Sequence, residues 1–192
     1  MLIAYLHGFL SGPQALKRRV LENWLKENHP ETDFDAPDYP DIPAEAIAAL
    51  DAWAKERQSE HPCLVGSSMG GFMATVLQCR YGFKIALVNP CTHPQDYFPA
   101  LCDIPQHNDF TGADFVLRPE MIETLRTLDS ECARRDPQKT RVFLQKGDEV
   151  LDYRKSLAFY AACAPEVQEG GCHAFDNFAA ILPKIYTFFA GC

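Results

Sequence analysis

The sequence has no hydrophobic run long enough to cross a membrane. A transmembrane helix needs about 20 mostly apolar residues, whereas the apolar start of the chain, residues 1–6, is interrupted by His7-Gly8. Because no basic stretch precedes this short run, we also expect that it is not a signal peptide. These two absences predict a cytoplasmic protein that has no membrane partner.

Positive charge is also scarce. The chain has 18 Lys and Arg residues against 26 Asp and Glu residues, which gives a formal net charge of −8. Its longest basic cluster, Lys17-Arg18-Arg19, has the pattern of a solvated helix face. Since nucleic-acid binding depends on basic side chains that neutralise phosphates, we expect no nucleic-acid partner.

The sequence lacks the usual metal and nucleotide motifs. Its eight cysteines include no C-x-x-C pair, and nothing near Cys91 and His93 completes a ligand set. We therefore expect reduced thiols and no metal site. G-x-x-x-x-G-K-[ST] and G-x-G-x-x-G are absent as well, which argues against a nucleotide-binding domain built on the glycine-rich turn at Gly66.

Apolar runs and helical patterns alternate along the chain, and this alternation predicts an α/β fold with a mostly parallel sheet and helices on both faces. A length of 192 residues favours one domain, 1–192. We expect six strands, at residues 2–6, 32–36, 63–65, 84–88, 140–145 and 165–169. Helices are expected after them, among others at residues 44–57, 119–128, 153–163 and 176–189.

Residues 91–136 differ from the rest of the chain. They contain several prolines and only one clear helical pattern, at 119–128. Because long irregular segments between strands often cover binding sites, we interpret 91–136 as a small cap. His93 and His107 lie in this segment, and we expect both to be polar loop residues.

The most informative stretch is Gly66-Ser67-Ser68-Met69-Gly70, which fits G-x-S-x-G. An apolar strand pattern precedes it and a helical pattern follows it. In this context the motif predicts an elbow that exposes the Ser68 hydroxyl as a nucleophile. The alternative is a glycine-rich turn in which the serine only caps the helix. Ser67 is the weaker candidate because the motif frame falls on Ser68.

Two further reactive groups follow later strands, and the chain order Ser68, Asp148, His173 is that of the α/β-hydrolases. His173 would accept the proton of Ser68, and Asp148 would orient the imidazole. Two other acids follow the same strand as Asp148. Asp152 suits a helix N-cap, and Glu149 is a third choice. A structural turn histidine is the alternative role for His173.

The oxyanion hole is expected to use the backbone N–H groups of Phe9 and Met69, because His7-Gly8-Phe9 follows the first strand. For His7 itself we favour a structural role, in which a ring nitrogen holds the loop.

Several motifs together resemble the YqiA-like esterases, a minimal branch of the α/β-hydrolase fold. The matching stretches begin at Tyr5, Leu64, Val88, Gln145 and Gly170, and the stretch from Gly147 to Tyr153 is the most specific. The resemblance implies a bacterial cytoplasmic esterase that hydrolyses small acyl esters or thioesters without a metal or cofactor. One departure is Cys172, where an acid is commoner. A catalytically idle fold that serves as a binding module is the alternative.

Overall fold

The computed structural model describes residues 1–191. Within that range the chain forms eight strands and six α-helices. The strands are β1 Leu2–Leu6, β2 Asp33–Asp35, β3 Cys63–Ser67, β4 Ile85–Val88, β5 Pro105–Asn108, β6 Ala113–Val116, β7 Thr140–Gln145 and β8 Glu166–Gln168. The helices are α1 Leu16–Asn28, α2 Pro43–Arg57, α3 Met69–Tyr81, α4 Met121–Glu131, α5 Tyr153–Phe159 and α6 Phe178–Ala190.

Six of the strands form one sheet in the order β2-β1-β3-β4-β7-β8, and every neighbouring pair is parallel. This confirms the α/β fold with a parallel sheet of six strands. All carboxyl ends of the strands therefore lie along one edge of the sheet, where α/β proteins collect their functional groups.

Helices cover both faces of the sheet, so its central strands are buried on both sides. Alternate residues of a strand point to opposite faces. In β1, Ala4 joins the apolar cluster formed with α2, α3 and α4, whereas Ile3 and Tyr5 join the cluster formed with α1 and α6. The central strands are apolar throughout because each of their faces packs against a helix layer.

The segment 91–136 is more regular than its sequence indicates. In addition to α4, it contains the antiparallel hairpin of β5 and β6, in which Pro105 pairs with Val116 and Asn108 with Ala113. The sequence does not indicate this hairpin, because its strands have four residues each, half of these residues are exposed, and no apolar alternation results. The helix α4 contacts α2 and α3. That this segment acts as a cap remains a prediction.

The boundaries of α5 and α6 differ from the expected ones. The helix α5 ends at Phe159, and a single 3-10 turn at Ala161–Cys163 follows it and stops at Ala164, which has a positive φ of 48° and precedes Pro165. The helix α6 begins at Phe178 and not at Asp176. Both backbone groups of Asp176 bond to the side chain of Gln145, which keeps this residue in the preceding turn.

In the described part of the chain, no helix combines the length and the apolar character needed to span a membrane.

Candidate active site

Ser68 lies at a sharp turn between β3 and α3. Its backbone has φ 55° and ψ −122°, a conformation that L-residues rarely adopt. Such strain costs about 1–3 kcal/mol and persists only where the surroundings enforce it. Here the Ser68 N–H donates to the carbonyl of Val88, and the Ser68 carbonyl accepts from Gly71 and Cys91. The turn thus has the strained geometry expected of a nucleophile elbow.

The glycines on both sides of Ser68 are required by close packing. A Cβ atom on Gly66 would lie 2.5 Å from the carbonyl oxygen of Gly70, and one on Gly70 would overlap the carbonyl oxygens of Leu6 and His7. These contacts involve backbone atoms, which cannot move aside as a flexible side chain can. The G-x-S-x-G spacing is therefore what allows α3 to begin directly against β1 and β3.

The structure brings Ser68, His173 and Asp148 together in one chain of hydrogen-bond distances. The Nε2 atom of His173 lies 3.0 Å from Ser68 Oγ, and its Nδ1 atom lies 2.9 Å from both carboxylate oxygens of Asp148. A carboxylate only accepts hydrogen bonds, so Nδ1 carries the proton and Nε2 is the acceptor in the neutral ring. The Asp148 side chain is 2% exposed and that of His173 is 23% exposed.

Of the three acids that follow β7, only the carboxylate of Asp148 faces the His173 ring. Its Oδ1 atom also accepts from the N–H groups of Val150 and Leu151, which fixes its orientation. Asp152 accepts from the N–H of Arg154 and caps α5, which confirms the capping prediction. Glu149 accepts from the backbone N–H of His173, 2.9 Å away.

The two N–H groups predicted for an oxyanion hole belong to Met69, which follows Ser68, and to Phe9, in the loop after β1. Met69 is the first residue of α3, so its N–H has no acceptor in a preceding helical turn and lies at the positive end of the helix dipole. Phe9 follows Gly8, and a Cβ atom on Gly8 would lie 3.8 Å from Ser68 Oγ. The loop after β1 therefore passes close to the Ser68 hydroxyl.

The side chain of His7 packs within that loop and stabilises it. Its Nδ1 atom lies 2.9 Å from the carbonyl of Gly8, and its ring stacks on Tyr39 with centroids 4.0 Å apart. Burial lowers the pKa of His7, so its ring stays neutral near pH 7. These contacts match the structural role expected for His7.

His93 and His107, the two histidines of segment 91–136, each bond to an aspartate of the same segment. His93 Nδ1 lies 2.8 Å from Asp129, and His107 Nδ1 lies 2.7 Å from Asp114 on the neighbouring strand.

In residues 1–191, no cluster of three or more His, Cys, Asp or Glu residues has a geometry suited to a metal ion.

The ring of Phe9 packs against two other aromatic rings. The ring of Phe9 lies 5.0 Å from that of Phe98 and 6.0 Å from that of Phe115 on β6. Asn108 on β5 also donates to the carbonyl of Ser11 and to Asp41, whose other oxygen accepts from Leu10. These hydrogen bonds connect the β5–β6 hairpin to the loop after β1, which passes close to Ser68.

A family model described as "Uncharacterised protein family (UPF0227)" matches residues 1–190. The chain belongs to this family. A UPF0227 protein of Shewanella sp. (strain MR-4) is 30% identical over 134 residues, which make up 68% of this chain and 66% of that protein. The chain thus aligns with slightly less than two thirds of that family member's length.

Solved structures of low sequence identity share the fold of this UPF0227 member. Est1E from Butyrivibrio proteoclasticus is 15% identical, with a TM-score of 0.72 over 97% of this chain and 86% of that one. Another structure of Est1E has ferulic acid bound. The esterase domain of a Rhodothermus marinus protein is also 15% identical, with a TM-score of 0.67 over 97% and 85% of the two chains. These similarities establish the α/β-hydrolase fold.

Proposed function

We propose that this protein is a serine esterase that hydrolyses small acyl esters or thioesters. The observation that carries the proposal is the 3.0 Å distance from Ser68 Oγ to His173 Nε2, combined with the buried Asp148 carboxylate on Nδ1. Serine hydrolases on unrelated folds share this constellation, which is identified by geometry and roles. Membership of the UPF0227 family and the α/β-hydrolase fold are consistent with it.

In the proposed mechanism, Ser68 Oγ attacks the acyl carbon while its proton passes to His173 Nε2. The negative charge that develops on the acyl oxygen is stabilised by the N–H groups of Phe9 and Met69. His173 then donates the proton to the departing alcohol or thiol, which leaves an acyl group on Ser68. A water molecule, activated by His173, hydrolyses this acyl-enzyme and restores the hydroxyl.

The partial exposure of His173 supports access of a small substrate, since the ring must reach both the leaving group and the incoming water. The aromatic rings of Phe9, Phe98 and Phe115 favour an apolar acyl group beside the site. Because Est1E binds ferulic acid, feruloyl esters belong in the substrate panel beside short alkyl esters and thioesters. The mechanism requires no metal or cofactor, and we propose that the protein acts in the cytoplasm without a nucleic-acid or membrane partner.

The proposal is tested by steady-state hydrolysis of p-nitrophenyl acetate and butyrate. We expect Ser68→Ala to lose at least about 10³-fold in kcat, because the nucleophile is gone. Ser67→Ala is the matched control, since it removes the neighbouring hydroxyl and should stay within a fewfold of the wild type. Equal activity of Ser68→Ala and wild type, with both folded, would contradict the proposal. A wild type without activity on any ester or thioester of the panel would favour a catalytically idle binding module.

A further inference from the structure

The turn formed by residues 170–176, which we call the His173 turn, has no helix or strand of its own. Gly170, Gly171 and Phe175 all have positive φ angles, of 66°, 78° and 65°. Within the turn, the Phe175 N–H donates to the Cys172 carbonyl at 2.9 Å, and the other hydrogen bonds of its backbone come from outside the turn. The location of the His173 ring depends on side chains that reach the turn from neighbouring strands.

Gln145, the last residue of β7, makes three of these contacts and is 3% exposed. Its Oε1 atom accepts from the N–H groups of Cys172, at 3.2 Å, and Asp176, at 2.9 Å. Its Nε2 atom donates to the carbonyl of Asp176, at 2.9 Å. A Cβ atom on Gly171 would overlap Gln145 Oε1, so the turn closes tightly over this side chain.

Asn89, which follows β4 and is buried, holds the same turn from the other side. Its Nδ2 atom donates to the carbonyl of Cys172, at 3.0 Å, and lies 3.4 Å from the carbonyl of His173. Its Oδ1 atom accepts from the backbone N–H of Gln145. The two carboxamides thus form one network that joins the ends of β4 and β7 to the turn.

Glu149 contacts His173 itself from the solvent side. Its Oε2 atom accepts from the His173 N–H at 2.9 Å, and Glu149 lies beside Asp148 in the loop after β7. His173 is therefore joined to the loop after β7 by two contacts, one from its ring to Asp148 and one from its backbone N–H to Glu149.

We propose that Gln145, Asn89 and Glu149 are positioning residues, which fix the His173 turn so that the imidazole lies between Ser68 and Asp148. This inference rests on the proposed function. Its physical basis is that proton transfer needs the ring within hydrogen-bond distance of both partners, and a displacement of about 1 Å can reduce the rate by about 10²-fold.

The test compares Gln145→Met with Gln78→Met. Gln78 is also 3% exposed, and it makes a similar number of hydrogen bonds, to Asp136, Lys139 and Thr140. It lies near the end of α3, ten residues after Ser68, and these hydrogen bonds do not involve the His173 turn. Each substitution removes a buried carboxamide of the same length, so their effects on stability should be similar, whereas only Gln145→Met alters the His173 turn.

We expect Gln145→Met to lower kcat by about 10–100-fold with little change in KM, and to slow the reaction of Ser68 with a fluorophosphonate to the same degree. Gln78→Met should stay within about twofold of the wild type in both assays. Similar activity of the two variants, when both are folded at the assay temperature, would overturn the inference.

A second readout does not depend on activity. The proton on His173 Nδ1, hydrogen-bonded to the carboxylate, should give a downfield proton NMR signal that is absent in His173→Gln. We expect Gln145→Met to shift or broaden this signal and Gln78→Met to leave it unchanged. An unaltered signal in Gln145→Met would refute positioning. A wild type that is inert toward esters but shows these NMR effects would contradict only the proposed function.

If Gln145→Met does not fold, the exposed Glu149 tests the same turn. Glu149→Ala removes the acceptor for the His173 N–H and should lower kcat severalfold. Glu149→Gln keeps an acceptor oxygen and should restore most of that loss. Equal kcat values for Glu149→Ala and the wild type would overturn the inference, because a substitution at this exposed position removes the contact and leaves the fold intact.

Discussion

Replacing Asp148 by Asn should disable the candidate base while leaving the site almost unchanged in shape. The Oδ1 atom of Asp148 accepts from the N–H groups of Val150 and Leu151 as well as facing the ring of His173. In the Asn variant the amide oxygen must keep that position, because an NH₂ group cannot accept from two N–H donors. The amide nitrogen is then directed at His173 Nδ1.

An NH₂ group at Nδ1 favours the tautomer in which Nδ1 accepts and Nε2 carries the proton. The Nε2 atom, 3.0 Å from Ser68 Oγ, then can no longer accept the serine proton. The equivalent change in a serine protease reduces kcat by about 10⁴-fold. We expect a loss of about 10³- to 10⁴-fold here, which corresponds to about 4–5.5 kcal/mol of transition-state stabilisation.

The matched control is Asp152→Asn. Asp152 caps α5 by accepting from Arg154, and Asn is an equally good N-cap, so activity should stay within about twofold. Both variants are compared with the wild type by kcat/KM for p-nitrophenyl butyrate, together with the thermal unfolding midpoint. If Asp148→Asn retains more than a tenth of the activity, or Asp152→Asn loses more than Asp148→Asn, the assignment of the acid is wrong.

Two predictions concern the scaffold of the site. Because burial lowers the pKa of His7, the unfolded chain binds a proton more readily, so the free energy of unfolding should fall as the pH drops below about 6.5, by at most about 1.4 kcal/mol per pH unit. Urea unfolding between pH 7 and 5 measures this slope, and His7→Phe should flatten it; an equal slope in both proteins would contradict the explanation. Gly70→Ala should cost about 3 kcal/mol or more, because its Cβ would overlap two backbone oxygens, whereas Gly112→Ala meets open space and should cost about 1–2 kcal/mol for its positive φ. Equal unfolding midpoints for these two variants would refute the packing argument.

The sheet and the elbow were predictable because their signals are local. The strands β1, β3, β4 and β7 are short apolar runs, and the glycines at positions 66 and 70 flank Ser68 at the spacing that the turn requires. The chain order of Ser68, Asp148 and His173 predicts that these three side chains lie together at the carboxyl ends of their strands. The structure brings them within hydrogen-bond distance of one another.

The remaining features depend on contacts between distant parts of the chain. Asn89 reaches Cys172 across 83 residues, and Gln145 reaches the same residue across 27, so nothing in either local sequence indicates the pairing. Half of the residues in β5 and β6 are exposed and the strands show no apolar alternation, so strand propensity does not identify this hairpin. The sequence predicts a helix from residue 176, whereas α6 begins at Phe178, because the tertiary contact between Asp176 and Gln145 keeps Asp176 in the preceding turn.

If Ser68 is an activated nucleophile, as we propose, it should react covalently with a serine-hydrolase probe. The folded protein is treated with a fluorophosphonate probe, digested and analysed by peptide mass spectrometry, with Ser67→Ala and His173→Gln in parallel. We predict one adduct, on Ser68, in the wild type and in Ser67→Ala, and little or none in His173→Gln because the base is lost. Folded wild-type protein without an adduct, or an adduct on Ser67, would contradict the account.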